Sequence, residues 1–593
     1  MIPTRLFDAI DYQQLNFSKK DMLVHKSNGH WQSHSTLEVG EAALKMAAGL
    51  HNLGISARDY TAEGADKVAI ISENRPEWII SDLAVQQVGA VLVPIYPTTP
   101  PEELFYIFKE AEIKMVLISS PLLFNKYQAV LRELPSIQYI YSFDQTDNPL
   151  WSEIQLMADQ DAINRVQEIK AGITGDHLAT IIYTSGTTGQ PKGVMLSHSN
   201  ILSCAMLAKE SFPFPDNPTL RALSFLPLNH IFEKCISYVY MFSGISIYFA
   251  EGMEKIGENI KEIKPHIFMT VPRLLEKVFE KINKTGQQLQ GTQKKVFNWS
   301  IRIAERYDNQ KWHSPLYKTK LRLAQILVFS KWQAALGGEI LYIITGGAAC
   351  PQRLLRIFNA ACIPVYEGYG PTENSPVIAV NRHVNNENYI GTVGPVIDGL
   401  EFKLEEDGEI CVKGPTVMQG YYKQPTLTAE TVIDGWLHTG DIGTLIEGSF
   451  LKITDRKKEL FKTSGGKYVA PQPIENKLKE LDIVEQAIIV GAEQKYVGAL
   501  IVPNAEGLKD WATQNNLPYN TLEQAIALPE IKKLFKDHIQ KINQTLSSTE
   551  QIKKHMLLTK PWSIDAGELT PKLSVRRKVV LEKYKDAIAR LFN

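Results

Sequence analysis

Eleven consecutive residues, Tyr183-Thr184-Ser185-Gly186-Thr187-Thr188-Gly189-Gln190-Pro191-Lys192-Gly193, concentrate the groups that a bound phosphate needs. Three glycines let the backbone come close to an anion, the hydroxyls of Thr184, Ser185, Thr187 and Thr188 can donate to its oxygens, and Lys192 supplies positive charge. This is phosphate chemistry with neither a base nor a metal ligand in the string. A Walker A loop is excluded by spacing. It needs Lys directly after Gly and Ser/Thr directly after Lys, whereas Lys192 stands between Pro191 and Gly193. A bland Ser/Thr/Gly-rich surface loop accounts for any three of these residues more readily than for the whole string.

Further strings carry related groups. Tyr366-Glu367-Gly368-Tyr369-Gly370-Pro371-Thr372-Glu373 offers G-x-G, but Glu373 stands where a dinucleotide fingerprint has its third glycine. What remains is a ring to stack on a base (Tyr369), a hydroxyl for phosphate (Thr372) and a carboxylate able to hold Mg2+ between phosphate oxygens (Glu373), or else a plain turn. Asp441, after His438-Thr439-Gly440, reads as part of a polar turn. Its carboxylate suits paired hydrogen bonds to ribose hydroxyls, or a turn cap if taken alone. Leu226-Pro227-Leu228-Asn229-His230 sets a histidine after a proline-bearing strand end, and a lone histidine is more often structural than functional.

The elements that must hold these groups are of one type over most of the chain. The apolar run Leu178 to Ile182 reads as a buried strand opening into the first string. From Val68 to Ile95 the pattern is strand, amphipathic helix from Glu73 to Gly89, and strand, which is a βαβ unit whose parallel strands require cover on both faces. Strand-like runs recur at 114–119, 136–141, 223–225, 245–249, 267–270, 340–344 and 364–366. Around Gly399 the period changes: 401–404 and 409–412 flank the hairpin signal Asp407-Gly408. Beyond Asp455 come a helix at 472–480, strands at 484–490 and 496–502, a long amphipathic helix at 529–544 and a basic helix at 576–592.

The expected fold class is therefore α/β. A large N-terminal domain of doubly wound sheets plus a β-rich subdomain (1–454) would be followed by a small mobile α+β C-terminal domain (455–593).

With 593 residues the chain is too long for one core, and 64 Lys/Arg against 65 Asp/Glu leave no whole-molecule field that would favour nucleic acid. Its five cysteines, Cys204, Cys235, Cys350, Cys362 and Cys411, lack a C-x-x-C pair and read as reduced core residues of a cytoplasmic chain. No secretory signal is read at the N-terminus. The apolar stretch Cys235 to Ala250 is short for a membrane span and fits a helix turning into a strand at Gly244. Between Gly291 and Lys331 nine Lys/Arg face two acids, interleaved with Trp299, Trp312, Leu316, Leu323 and Leu327. That is either a solvated basic helix pair or an amphipathic patch for peripheral attachment to the inner membrane face.

In order and rough spacing these strings resemble the motifs of the AMP-forming acyl-adenylating superfamily, which contains acyl-CoA synthetases, beetle luciferases and peptide-synthetase adenylation domains. Three more strings join them: Ser72-Glu73-Asn74-Arg75-Pro76-Glu77-Trp78, Asp434-Gly435-Trp436-Leu437-His438-Thr439-Gly440-Asp441 and Asp455-Arg456-Lys457-Lys458. The resemblance covers most of the chain, thinning before about Lys67 and between Gly286 and Leu336. It implies ATP, Mg2+ and coenzyme A as ligands and a two-step reaction. A carboxylate attacks the α-phosphorus of ATP, pyrophosphate leaves, and the thiol of coenzyme A then attacks the acyl-adenylate.

Carried over residue by residue, the resemblance implies ATP binding by Thr184, Ser185, Gly186, Thr187, Thr188, Gly189, Lys192, Gly347, Tyr369, Gly370, Thr372, Asp441 and Arg456. Glu373 would hold the metal, and His230 would lie beside the acyl carboxylate. The family's catalytic lysine is expected near the C-terminus. Ser574 occupies that position here, so Lys572, two residues earlier, takes the role, with Arg576 as substitute. Lys458 would be the hinge of a domain rotation that brings Ser464, Gly465 and Gly466 onto the thiol's route.

Leu451 to Lys458 and Phe461-Lys462-Thr463-Ser464-Gly465-Gly466-Lys467-Tyr468-Val469-Ala470-Pro471 look like the long-chain fatty-acyl-CoA synthetase branch. The stretch 236–249 would then be either a wall of the acyl tunnel or ordinary core. A fatty acyl-AMP ligase, a shorter-chain or aryl-acid ligase and a catalytically silent lipid- or nucleotide-binding regulator are the alternatives, and the oligomeric state stays open.

Overall fold

The structure, a computed structural model of the chain, describes residues 2–185, 190–564, 566–570 and 575–592. The five-residue strand Lys67–Ile71 shows why its sequence demands layers. All of it is buried, and it pairs in parallel with Val91–Ile95 on one side and Ile113–Ile118 on the other. Val68 and Ile70 enter one apolar cluster while Ala69 and Ile71 enter another, as the two-residue period of a strand covered on both faces requires. The return helix Pro76–Gln87 carries proline in its first turn, where a missing N–H costs nothing.

Contacts divide the chain into two compact units. The first comprises Met1–Gly347, Leu354–Lys403 and Cys411–Thr439; the second comprises Ala348–Arg353, Leu404–Ile410 and Gly440–Asn593. Two large sheets fill the first unit. A seven-stranded sheet runs in the order Gly420–Tyr421, Pro191–Ser197, Leu178–Ser185, Val91–Ile95, Lys67–Ile71, Ile113–Ile118, Tyr139–Ser142. An eight-stranded sheet runs Ala379–Val380, Val365–Tyr369, Tyr342–Thr345, Ile267–Thr270, Arg221–Ser224, Ser246–Phe249, Leu23–Ser27, His30–His34. Past Gly399 antiparallel strands take over, among them Trp436–Ile446 against Phe450–Arg456.

Within the second unit, Val484–Val490, Val497–Pro503 and Ile552–Leu557 form a three-stranded sheet. Ala487 and Ile489 face one cluster, shared with Ile474, Leu478 and Phe535. Ile488 and Val490 face another, shared with Trp562, Val580 and Leu591. The fold class is the expected one: mixed α/β, large N-terminally, with a smaller α+β C-terminal part.

Three local readings are corrected. Asp441 lies inside the strand Trp436–Ile446 rather than in a turn; only Leu437 and Gly443 of that strand are buried and its apolar residues do not alternate, so it lacks the pattern that marks a strand in sequence. The single helix expected at 576–592 is two, Arg577–Lys583 and Lys585–Phe592, because Tyr584 leaves helical geometry at φ −106° and ψ 18°. Cys362 is exposed, while the other four cysteines are buried and all five are unbridged. At Gly244 the helix Ile231–Phe242 does give way to Ser246–Phe249, through a left-handed φ of 66°. Residues 235–242 are wholly buried. Among the described residues no helix is long and apolar enough to cross a membrane.

Candidate active site

Most of the strings singled out by sequence follow the C-terminal ends of parallel strands, where an α/β sheet leaves backbone groups free for a ligand. Ser72 to Asn74 follow Ile71, the segment to His230 follows Ser224, Gly346 and Gly347 follow Thr345, and Gly370 to Glu373 follow Tyr369. Leu178–Ser185, parallel to Val91–Ile95, carries the chain to Gly186. At Gly370 a Cβ would stand 1.6 Å from the Pro376 carbonyl oxygen, so only glycine fits beside Tyr369. Gly347 has φ 78°, a left-handed turn that glycine adopts without strain.

Leu178–Ser185 returns antiparallel as Pro191–Ser197, with Thr184 opposite Lys192 and Ser185 opposite Pro191. Gly186, Thr187, Thr188 and Gly189, with the side chain of Ser185, lie outside the described residues. Thr184 Oγ1 is buried and has no hydrogen-bond partner among the described residues.

Lys192 and Glu373, 181 residues apart and contributed by different sheets, meet directly: Nζ lies 2.7 Å from Oε1. A third residue, which the sequence reading missed, joins them. The Tyr421 hydroxyl donates to the same Oε1 at 2.7 Å and accepts from Lys192 Nζ at 2.5 Å. The ammonium also sits 4.1 Å above the Tyr421 ring. Tyr421 gets there because Gly420–Tyr421 adds as an edge strand to Pro191–Ser197 with Tyr421 opposite Val194, two residues from Lys192 and so on the same face. Burial pushes the Glu373 carboxyl up, but the charge of Lys192 and hydrogen bonds from Lys192 and Tyr421 outweigh it and hold the group below the ordinary carboxylate range.

His230 caps the helix Ile231–Phe242: its Nδ1 accepts from the Phe232 amide at 3.0 Å. A neutral ring that accepts at Nδ1 carries its proton on Nε2. The neighbouring Asn229 amide donates to the Ile95 carbonyl at the end of its strand. Tyr369 ends the strand Val365–Tyr369, and Thr372 is a buried residue of the single turn Thr372–Asn374.

In the second unit, Asp441 pairs with Arg456 across the ladder, with Oδ1 at 3.5 Å from the Arg456 Nε. Lys458 is exposed in the turn after Phe450–Arg456, and Ser464 and Gly465 form an exposed turn between Phe461–Lys462 and Tyr468–Val469, followed by Gly466 at φ 76°. Lys572 and Ser574 lie outside the described residues; the flanking Leu569 and Val575 form an antiparallel bridge.

An orphaned buried hydroxyl at Thr184, a lysine and an ionised carboxylate in contact, and a glycine, Gly370, where a Cβ would intrude make a set that fits a polyphosphate with a divalent cation. Two α/β sheets with this set at their strand ends, and a separate α+β unit, define a phosphate-binding α/β class of protein.

Comparison with known proteins agrees. The AMP-binding enzyme family matches residues 11–422, and the AMP-binding enzyme C-terminal domain matches 459–593. The chain belongs to the AMP-binding enzyme family. The long-chain-fatty-acid–CoA ligase FadD15 of Mycobacterium bovis is 31% identical over 95% of this chain and 93% of its own length. Long-chain-fatty-acid–CoA ligase 1 of Homo sapiens is 32% identical over 89% and 78%. Among solved structures, the adenylation domain of a carboxylate reductase from Mycobacterium chelonae superposes with a TM-score of 0.75 at 20% identity, covering 100% of this chain and 92% of that one. A fatty acyl CoA synthetase of Mycobacterium tuberculosis gives 0.63 at 19% identity, covering 98% and 99%. These two likenesses concern the fold.

Proposed function

We propose that this protein is a long-chain fatty-acid CoA ligase of the AMP-forming type. A fatty-acid carboxylate oxygen bonds to the α-phosphorus of ATP as the bond to the bridging oxygen of pyrophosphate breaks. The coenzyme A sulfur, having lost its proton, then bonds to the acyl carbon and AMP departs. The observation that carries the reading is the Lys192–Glu373 contact, which joins a phosphate-type loop of one sheet to a metal-type carboxylate of another. The identity to long-chain ligases over nearly the full chain supports the substrate class.

In this reading Lys192 and the hydroxyls and amides of Thr184, Ser185, Gly186, Thr187, Thr188 and Gly189 hold the β- and γ-phosphates. Tyr369 stacks on adenine, Gly347 and Gly370 give it room, Thr372 donates to phosphate, and Asp441 and Arg456 take the ribose and phosphate. Glu373 would hold Mg2+, which when bound would neutralise phosphate charge. His230 lies beside the acyl carboxylate, and Lys572 meets the charge that builds up as two anions approach. Residues 1–454 and 455–593 act as the two domains, turning about Lys458 so that Ser464, Gly465 and Gly466 face the incoming thiol.

An assay of ATP- and coenzyme A-dependent thioester formation across acids from acetate to oleate tests this, with rates expected to peak among the long chains. A peak at short or aryl acids would replace the substrate class. Acyl-AMP accumulating while free coenzyme A goes unused would point to a fatty acyl-AMP ligase. Absence of acid-dependent ATP–pyrophosphate exchange would sink the enzyme reading.

Peripheral attachment to an anionic membrane face is part of the proposal. Phe297, Ile301 and Trp332 are buried, but Trp312 is 79% exposed, and Leu316, Leu323, Ile326 and Leu327 are also exposed. Leu316, Leu323 and Leu327 recur at helical spacing in a run of helix from Pro315 to Ala335, interleaved with Lys318, Lys320 and Arg322. Co-sedimentation with vesicles containing phosphatidylglycerol, weakened by Leu316→Asp/Leu327→Asp, is the expected result; equal recovery with neutral vesicles or none would count against it.

A further inference from the structure

The string Ser72 to Trp78 runs from the end of the strand Lys67–Ile71 into the helix Pro76–Gln87. Most of it serves its own neighbourhood. Glu73 accepts from the Ser119 hydroxyl at 2.6 Å, and Arg75 forms a two-point contact with Glu77, at 2.9 and 2.8 Å, and a third with Asp144. Asn74 differs, because its amide reaches a segment 150 residues away. Its Nδ2 donates to Ser224 Oγ at 2.9 Å and to the Leu226 carbonyl at 2.6 Å, while its Oδ1 accepts from the Leu228 amide at 3.0 Å. Both amide hydrogens and one oxygen lone pair are thus spent on residues 224–228.

That segment is the connection from the strand Arg221–Ser224 to His230, and its last turn is closed by the His230 amide donating to the Pro227 carbonyl at 2.9 Å. Asn74 stands just past the end of Lys67–Ile71 in the other sheet. Its side chain therefore ties the His230-bearing loop of one sheet to the strand ends of the other.

We propose that Asn74 is a positioning residue for the activation step, setting the place of the His230 imidazole through its three hydrogen bonds to residues 224–228. The inference rests on the reading of His230 as the residue beside the acyl carboxylate. Asparagine is specific for the task. Aspartate offers acceptors only and would set a negative oxygen against the Leu226 carbonyl; alanine offers nothing; glutamine places the amide one methylene too far.

The test is a double-mutant cycle on the full chain, read as fatty-acid-dependent ATP–pyrophosphate exchange. Asn74→Ala and the near-isosteric Asn74→Asp are each expected to lower kcat by about tenfold to 10²-fold, the scale of a misplaced catalytic group, with KM for ATP and the melting midpoint little changed. Ser224→Ala, which leaves both backbone contacts in place, should cost less. In a His230→Ala background Asn74→Ala should cost less than about twofold, since a group that acts through the imidazole has nothing left to position.

An equal loss from Asn74→Ala in both backgrounds, or full exchange in Asn74→Asp, overturns the proposal. Full exchange in His230→Ala alone overturns the reading of His230, and that single variant separates the two failures.

Discussion

Lys192 and Glu373 share a proton-rich contact in which Glu373 Oε1 receives both the Lys192 ammonium and the Tyr421 hydroxyl at 2.7 Å. A carboxylate so engaged is ionised but occupied. A cation that binds Glu373 through Oε1 must displace the ammonium, the phenol or both, and a displaced ammonium then becomes available to phosphate oxygens. Tyr421→Phe removes one competitor for the carboxylate while keeping the ring under Lys192. The Mg2+ concentration for half-maximal exchange is expected to fall by about tenfold or more, the weight of one hydrogen bond to a charged group. An unchanged or higher requirement would show that Tyr421 assists the cation instead of competing with it.

Glu233 is 2% exposed, and burial pushes its carboxyl up to about 8, against a weaker opposing pull from its hydrogen bond with Ser224. Such a group is protonated at neutral pH. Its folded form binds the proton more tightly than the unfolded chain does, so its contribution to stability is complete below the unfolded value near 4.5 and is lost as pH rises towards 8. Glu233→Gln imitates the neutral acid at every pH. The melting midpoint of the variant minus that of the wild type is therefore expected to increase from pH 5 to pH 9. A difference that stays flat, or that falls, would mean Glu233 is ionised in the folded protein.

Next to Glu233 in the same helix, Lys234 forms an ion pair at 2.5 Å with Asp82 of the helix Pro76–Gln87, with both side chains at or below 1% exposure. Asp82 also accepts from Tyr238 and Gln86, each at 2.8 Å. Removing one partner strands a charge in a dry interior, so Lys234→Met should cost about 3–5 kcal/mol in chemical unfolding. Adding Asp82→Asn removes the stranded charge and should recover a large part of that loss. If the double variant is as unstable as the single one, shape and not charge governs the site.

How far these sites can be read from sequence depends on how local their causes are. Lys67–Ile71 and Ile267–Thr270 are short apolar runs bounded by polar residues, and their strand character needs no outside information. The two-residue strand Gly420–Tyr421 exists only because Pro191–Ser197 offers it an edge, and nothing within those two residues announces it. Tyr421 was accordingly invisible, although Lys192 and Glu373 were both legible from their strings. Asn74 was legible as part of a string, but its partners at 224–228 lie a whole sheet away. The strand around Asp441 stayed hidden for another reason: only two of its eleven residues are buried, so its apolar residues follow no two-fold pattern.

The least local assignment is the lysine of the C-terminal part. Leu569 and Val575 pair across the segment that contains Lys572 and Ser574, and Arg577 beyond it is tied to Glu475 at 2.5 Å and to the Ile489 carbonyl at 2.9 Å. The residues on either side of that segment are thus held within the second unit. Lys572→Ala is expected to lower acid-dependent ATP–pyrophosphate exchange by about 10²-fold or more, as loss of a preorganised charge donor does, while thioester formation from supplied acyl-adenylate stays near the wild-type rate. Lys458→Pro, which restricts backbone rotation in the exposed turn, should do the reverse and slow the thioester step more than adenylation. Unchanged exchange in the first variant would move the role to another residue, with Arg576→Ala the next to measure. Equal loss of both half-reactions in the second would mean a damaged fold and no hinge at Lys458.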